Sequence, residues 1–92
     1  MDLEAFVRMI DSTLALQRSI MKMRPNAHEL EPAGAIRDRM VSELQALGDQ
    51  ATKEKVKQLA QEWRKLAPPS RTPSPNPTHH FVQTVCEAVE LW

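Results

Sequence analysis

Residues 52–66, TKEKVKQLAQEWRKL, fit one regular structure well and any other poorly. Val56, Leu59, Ala60, Trp63 and Leu66 recur at i, i+3, i+4, i+7 and i+10. That spacing puts them on one face of a helix with 3.6 residues per turn. The remaining surface is charged, with Lys53, Lys55, Lys57, Arg64 and Lys65 opposed only by Glu54 and Glu62. A chain whose formal net charge is zero therefore carries +3 on this one element. Thr52 or Asp49 can cap its start, and Pro68 with Pro69 ends it.

The same periodicity organises the rest of the chain. A first helix is predicted from Asp2 or Leu3 to about Met23, with Asp2 as N-cap and Glu4 beside the positive end of the helix dipole. Leu3, Phe6, Val7, Ile10, Leu14, Gln17 and Met21 form one stripe on it; Ala5, Met9, Leu16, Ile20 and Met23 form an adjoining second. So wide an apolar arc implies a helix touched on two sides, or one with a face left for a partner. Pro25 stops it, and PNAHELE connects to a second helix opening at Pro32 and running to Leu47. Ile36, Met40, Leu44 and Leu47 lie in register there, and Gly48 suits the position just past its end. The short link GDQAT then makes an antiparallel hairpin with the third helix.

Between positions 68 and 77 five of ten residues are proline. Such a segment favours extended polyproline conformations and brings no side chains to a core, so residues 67–78 read as a semi-rigid linker or crossing. Thr78 is the expected cap of a last helix over residues 81–91. Val82, Val85, Cys86, Val89 and Trp92 form its stripe, with Phe81, Val85, Ala88 and Trp92 an almost equally good second. No Tyr and little Val-Ile-Thr alternation leave a sheet without material. The expected fold is all-α, a single domain over residues 1–92. It is either a small four-helix bundle or three helices with a docked fourth.

At 92 residues the chain buries only ~60–65% of the surface its unfolded form exposes, so core truncations should be severe. The lone Cys86, set among Val85, Ala88 and Val89, reads as a buried thiol of a reducing compartment. No apolar run approaches a membrane span, and the acidic start MDLEAFVRM is unlike a secretory signal. Cytosol or nucleus is the expected location. The closing AVELW, ending on an apolar pair, looks like a domain cut from a longer chain.

Enzymatic constellations are missing from the sequence: no Gly-rich phosphate loop, HExxH, CxxC or G-x-S-x-G occurs. His79 and His80 point apart on a helix and His28 lies in another loop, which is poor geometry for a metal. Glu29, Glu31, Asp38, Glu43 and Asp49 scatter over a solvated face. A non-enzymatic module without cofactor or metal is expected. Its basic third helix reads either as plain solvated surface or as a dock for acidic peptides. Nucleic acid fits less well, because no Tyr or Phe interleaves with the Lys and Arg. Lys53, Lys57 and Arg64 are the candidate contacts. Trp63 belongs to the core on its stripe, with a groove for a hydrophobic anchor as the other reading. Thr72-Pro73 and Ser74-Pro75 have the shape that proline-directed kinases use. Phosphate there is expected to pin the linker onto Lys57 and Arg64.

The run KVKQLAQEWRKLAPP resembles the closing helix of the TFIIS N-terminal domain family, also found in Elongin A and a Mediator subunit. The matching positions are Leu59, Ala60, Trp63, Arg64, Lys65 and Leu66. The resemblance covers fifteen residues and, loosely, the helix from Ile36 to Leu47. No Gly-Lys followed by a Leu-Arg-Lys step precedes it, and the Pro-rich break has no counterpart. It implies a nuclear helical bundle, in transcription regulation, that binds short disordered motifs with acidic and aromatic residues, with Lys57, Trp63 and Arg64 at the site.

Two functions are therefore expected in order. The first is a protein-interaction module for a short, partly acidic, hydrophobically anchored peptide or a partner helix; five Met in a small domain suit an adaptable surface. The second is an assembly domain that completes a helical bundle with another subunit.

Overall fold

The computed structural model describes residues 2–92 and forms an all-α four-helix bundle: α1 (Leu3–Met21), α2 (Pro32–Leu47), α3 (Lys53–Leu66) and α4 (Pro77–Ala88). Short 3₁₀ turns at Ala27–Leu30, Gly48–Gln50 and Val89–Leu91 trim the connections, and no strand occurs among the described residues.

Each boundary has a local cause. The Asp2 carboxylate accepts from the Ala5 amide at 2.7 Å and starts α1. The helix stops at Met21, two residues before the expected Met23. Pro25 disfavours helical geometry at the residue before it, and the chain instead turns with Arg24 N–H donating to Met21 O. The segment expected as a plain connection makes a turn of 3₁₀ helix that buries Leu30. Pro32 opens α2, and Gly48 ends it at φ +50°, a value that favours glycine. Thr52, not Asp49, caps α3 by accepting from Lys55 N–H at 3.4 Å.

The start of α4 departs from expectation by four residues. Asn76, not Thr78, is the cap: its Oδ1 accepts from Thr78 N–H at 2.9 Å and His79 N–H at 3.1 Å, and Pro77 takes the first helical position. Thr78 is wholly buried, and its hydroxyl donates to Glu29 O at 2.6 Å, tying α4 to the Ala27–Leu30 turn. The last residues of the expected helix tighten into the Val89–Leu91 turn.

The core is continuous. Phe6, Ile10 and Leu14 from α1 meet Ile36, Met40 and Leu44 from α2 and Val56, Ala60 and Trp63 from α3. Phe81, Val82, Val85 and Cys86 from α4, with Val89 just after it, complete the cluster, and α4 touches all three other helices. The fourth helix is thus integral and not a docked addition. Trp92 packs edge-to-face on Phe6, ring centroids 5.0 Å apart, so the apolar end of the chain is used within the bundle. A two-armed bond of the Arg37 guanidinium to Asp11, at 2.6 and 3.0 Å, braces α1 against α2.

Candidate functional site: an apolar ridge with a basic collar on α1

The second stripe of α1 divides at its middle. Met9 is half-buried and packs against the core. Leu16 and Ile20 are 61 and 48% exposed and stand at i and i+4 on one face of α1; Met23, 91% exposed, lies in the turn two residues past the end of the helix. No other large hydrophobic among the described residues is as exposed, apart from Leu91. Two such residues one turn apart, with a third exposed just past the helix, concentrate apolar surface at this end of α1, which a monomeric surface seldom shows without a use. Arg18, Lys22 and Arg24 lie near the same end of the helix, exposed and without an ion pair among the described residues, but not on one side: Arg18 lies over Gly34 of α2 and shares a hollow with Lys22, whereas Arg24 shares one with Ile20. The C-terminal end of a helix favours cations, so this collar is cheap to keep.

The expected site on α3 is built differently from its sequence reading. Lys53 donates to Glu90 O at 3.0 Å, and Lys57 lies 3.6 Å from the Glu90 carboxylate; both turn toward the end of the chain. Lys55 donates to Gln50 and Lys65 to Glu62. Of the five basic residues, only Arg64 has no polar partner among the described residues, so the stripe is partly neutralised from within. Such exposed contacts are each worth at most about 1 kcal/mol, enough to lower its field but not to lock it. Trp63 is 0% exposed and its indole N–H donates to Glu43 at 3.3 Å across the α2–α3 hairpin. It is a core residue and lines no groove.

Arg64 borders two shallow hollows between α3 and α4. One of about 150 Å³ lies by Ala67, His79 and Val82, and one of about 290 Å³ by Lys57, Gln61 and Cys86. Cys86 is buried, its Sγ–H directed at Ala60 O at 3.5 Å; burial pushes its thiol above the ordinary value, which suits packing and not nucleophilic attack. His79 faces Pro68 O at 2.9 Å through Nδ1, while His80 and His28 are exposed, so the three imidazoles occupy separate places.

The proline-rich crossing is held and not loose. Ser70 Oγ accepts from Asn76 N–H at 3.1 Å, and Asn26 donates to Pro75 O at 3.4 Å. Thr72 and Ser74 are exposed, as a kinase requires. Their surroundings correct the expectation, however. Ser74 borders a cavity of about 430 Å³ shared with Ile20 of α1, Arg24 in the turn after it and His80 of α4, not with Lys57 and Arg64. The crossing thus runs past the end of α1 that carries the ridge.

Comparison with family models, with curated proteins and with solved structures finds no match to this chain. The resemblance of α3 to the TFIIS N-terminal family therefore rests on the fifteen residues that suggested it. Of these, Ala60 and Trp63 are buried and Leu59 and Leu66 pack partly against the core, as the inner face of any bundle helix must. No helix among the described residues is long and apolar enough to cross a membrane.

Proposed function

We propose that this chain is a non-enzymatic interaction module that receives an acidic amphipathic helix along the α1 ridge. The observation that carries the reading is the exposure of Leu16 and Ile20 one turn apart on α1, with Met23 exposed in the turn that follows. A partner helix laying Leu- or Met-type residues between them buries apolar surface on both sides, the helix-in-groove mode of recognition. Fully burying one such side chain is worth about 1.5–3 kcal/mol, so three partly exposed ones supply roughly 3–5 kcal/mol before association costs. That margin supports reversible binding. Arg24, which shares a hollow with Ile20, then favours a partner with Glu or Asp flanking its apolar face, raising the association rate more than the final affinity.

This relocates the expected dock from α3 to α1 and keeps its chemistry, an apolar anchor with acidic flanks. The test is affinity capture with three folded chains: wild type, Leu16→Ser/Ile20→Ser and Lys57→Glu/Arg64→Glu. Partners lost only by the first variant support the ridge. Partners lost only by the second return the site to α3. A wild-type chain that sediments as a dimer, and a Leu16→Ser/Ile20→Ser variant that is monomeric, would make the ridge a self-assembly seam and replace this reading with the assembly one.

A further inference from the structure

Ser74 and Arg24 border one cavity, and that juxtaposition has a chemical use. Ser74 is exposed and is followed directly by Pro75 on a stretch without helix or strand, the form in which a proline-directed kinase takes its substrate. The crossing is held close by at Pro75 O and Asn76 N–H, while Ser74 itself is exposed to a kinase. Arg24, which has no ion-pair partner among the described residues, and His80 line the same cavity. The Thr78 and His79 N–H groups at the start of α4 are already taken by the Asn76 side chain. A phosphate at position 74 therefore finds its partner in the guanidinium fork and not in the start of α4.

We propose that Ser74 is a phosphorylation site and that Arg24 captures its phosphate, fastening the crossing onto the end of α1. In the step itself the γ-phosphoryl group of ATP passes to Ser74 Oγ. The bond to the ADP leaving group breaks, and the hydroxyl proton goes to the kinase's base. The product carries about −1.5 to −2 charges at neutral pH. Thr72 has the same Thr-Pro shape but does not border the cavity, so a phosphate there gains no such partner. One consequence rests on the docking role proposed for the ridge: Arg24 belongs to its collar and Ile20 lines the same cavity, so capture withdraws a cation from the docking face.

The test needs no partner protein. The full chain is incubated with a proline-directed Ser/Thr kinase and ATP; Ser74→Ala should abolish most incorporation and Thr72→Ala should retain it. The Ser74-phosphorylated Thr72→Ala chain is then titrated by phosphorus NMR, with and without Arg24→Gln. Arg24 is exposed, so its substitution leaves the fold intact. A guanidinium beside the phosphate favours the dianion, so the titration midpoint should lie roughly 0.5 pH units lower with Arg24 present than with Gln. Identical midpoints overturn the capture, and so does a midpoint that moves with Lys57→Gln/Arg64→Gln instead. A chain that the kinase leaves unmodified at Ser74 overturns the site. None of these outcomes depends on whether the ridge binds a partner.

Discussion

Replacing Trp63 by Ala tests the packing logic at its most demanding point. Trp63 is the largest wholly buried side chain, set in the same core cluster as Val56, Ala60 and Met40, with its indole N–H on Glu43. Truncating a buried Trp to Ala costs about 3–5 kcal/mol, the lost transfer energy plus the cavity left behind. A chain of 92 residues has about 5–14 kcal/mol to lose, so the variant gives up between about a fifth and all of its stability. Its melting temperature should fall by at least about 12 °C, at about 4 °C or more per kcal/mol for a domain of this size. Trp63→Phe separates the contributions. It keeps an aromatic ring but drops the bond to Glu43, about 1 kcal/mol, and leaves a smaller gap. Urea unfolding followed by far-ultraviolet circular dichroism reads both variants without relying on indole fluorescence. A Trp63→Ala loss below about 1 kcal/mol, at an unchanged denaturant slope, would refute the placement of Trp63 at the centre of the core.

Two further outcomes follow from the same contacts. Cutting the chain after Pro69 removes Phe81, Val82, Val85, Cys86 and Val89, five of the eighteen buried apolar residues; at about 1.5–3 kcal/mol each, that is comparable to the total stability, so the 1–69 fragment should show no cooperative thermal transition in calorimetry. The Asp11 carboxyl is held below its ordinary value chiefly by the hydrogen bond from Arg37, so its contribution is complete above the unfolded value near ~3.9 and is lost as pH falls through the lower folded value. Asp11→Asn should therefore narrow the gap between urea midpoints measured at about pH 6 and about pH 3, and an unchanged gap would show that the Arg37 bond does not form in solution.

Helix positions were legible because periodicity and punctuation agreed. Pro32 and Gly48 bracket α2, Thr52 and Pro68 bracket α3, and the buried residues of both fall on the stripes read from the sequence. The α4 boundary was missed although its signal was present: Asn76-Pro77 is a cap followed by a first-turn proline, but it sat inside a run of prolines that read as linker. The four-helix outcome could not be separated from a docked fourth helix, because apolar periodicity says that a face is covered and not by what.

The candidate site was less legible for a related reason. A net charge counted along α3 ignores where those charges are spent, and Glu90, distant in sequence, engages both Lys53 and Lys57. Trp63 could equally have lined a groove until the neighbouring helices were in place. The ridge residues Leu16, Ile20 and Met23 lay in the second α1 stripe, yet only the packed bundle shows that α4 and α2 cover the first stripe and leave this half open.

The central claim, that α1 is the docking face, is tested most directly by site-specific photocrosslinking. A benzophenone side chain is placed in turn at positions 16 and 20 on α1, at position 23 just past it and at Gln61 on α3, all exposed positions whose substitution spares the core. After irradiation in cell extract, the joined peptides are sequenced by mass spectrometry. The expected result is that the first three positions join one acidic amphipathic segment of the same partner while position 61 does not. Crosslinks to that segment from position 61, with none from α1, would contradict the account.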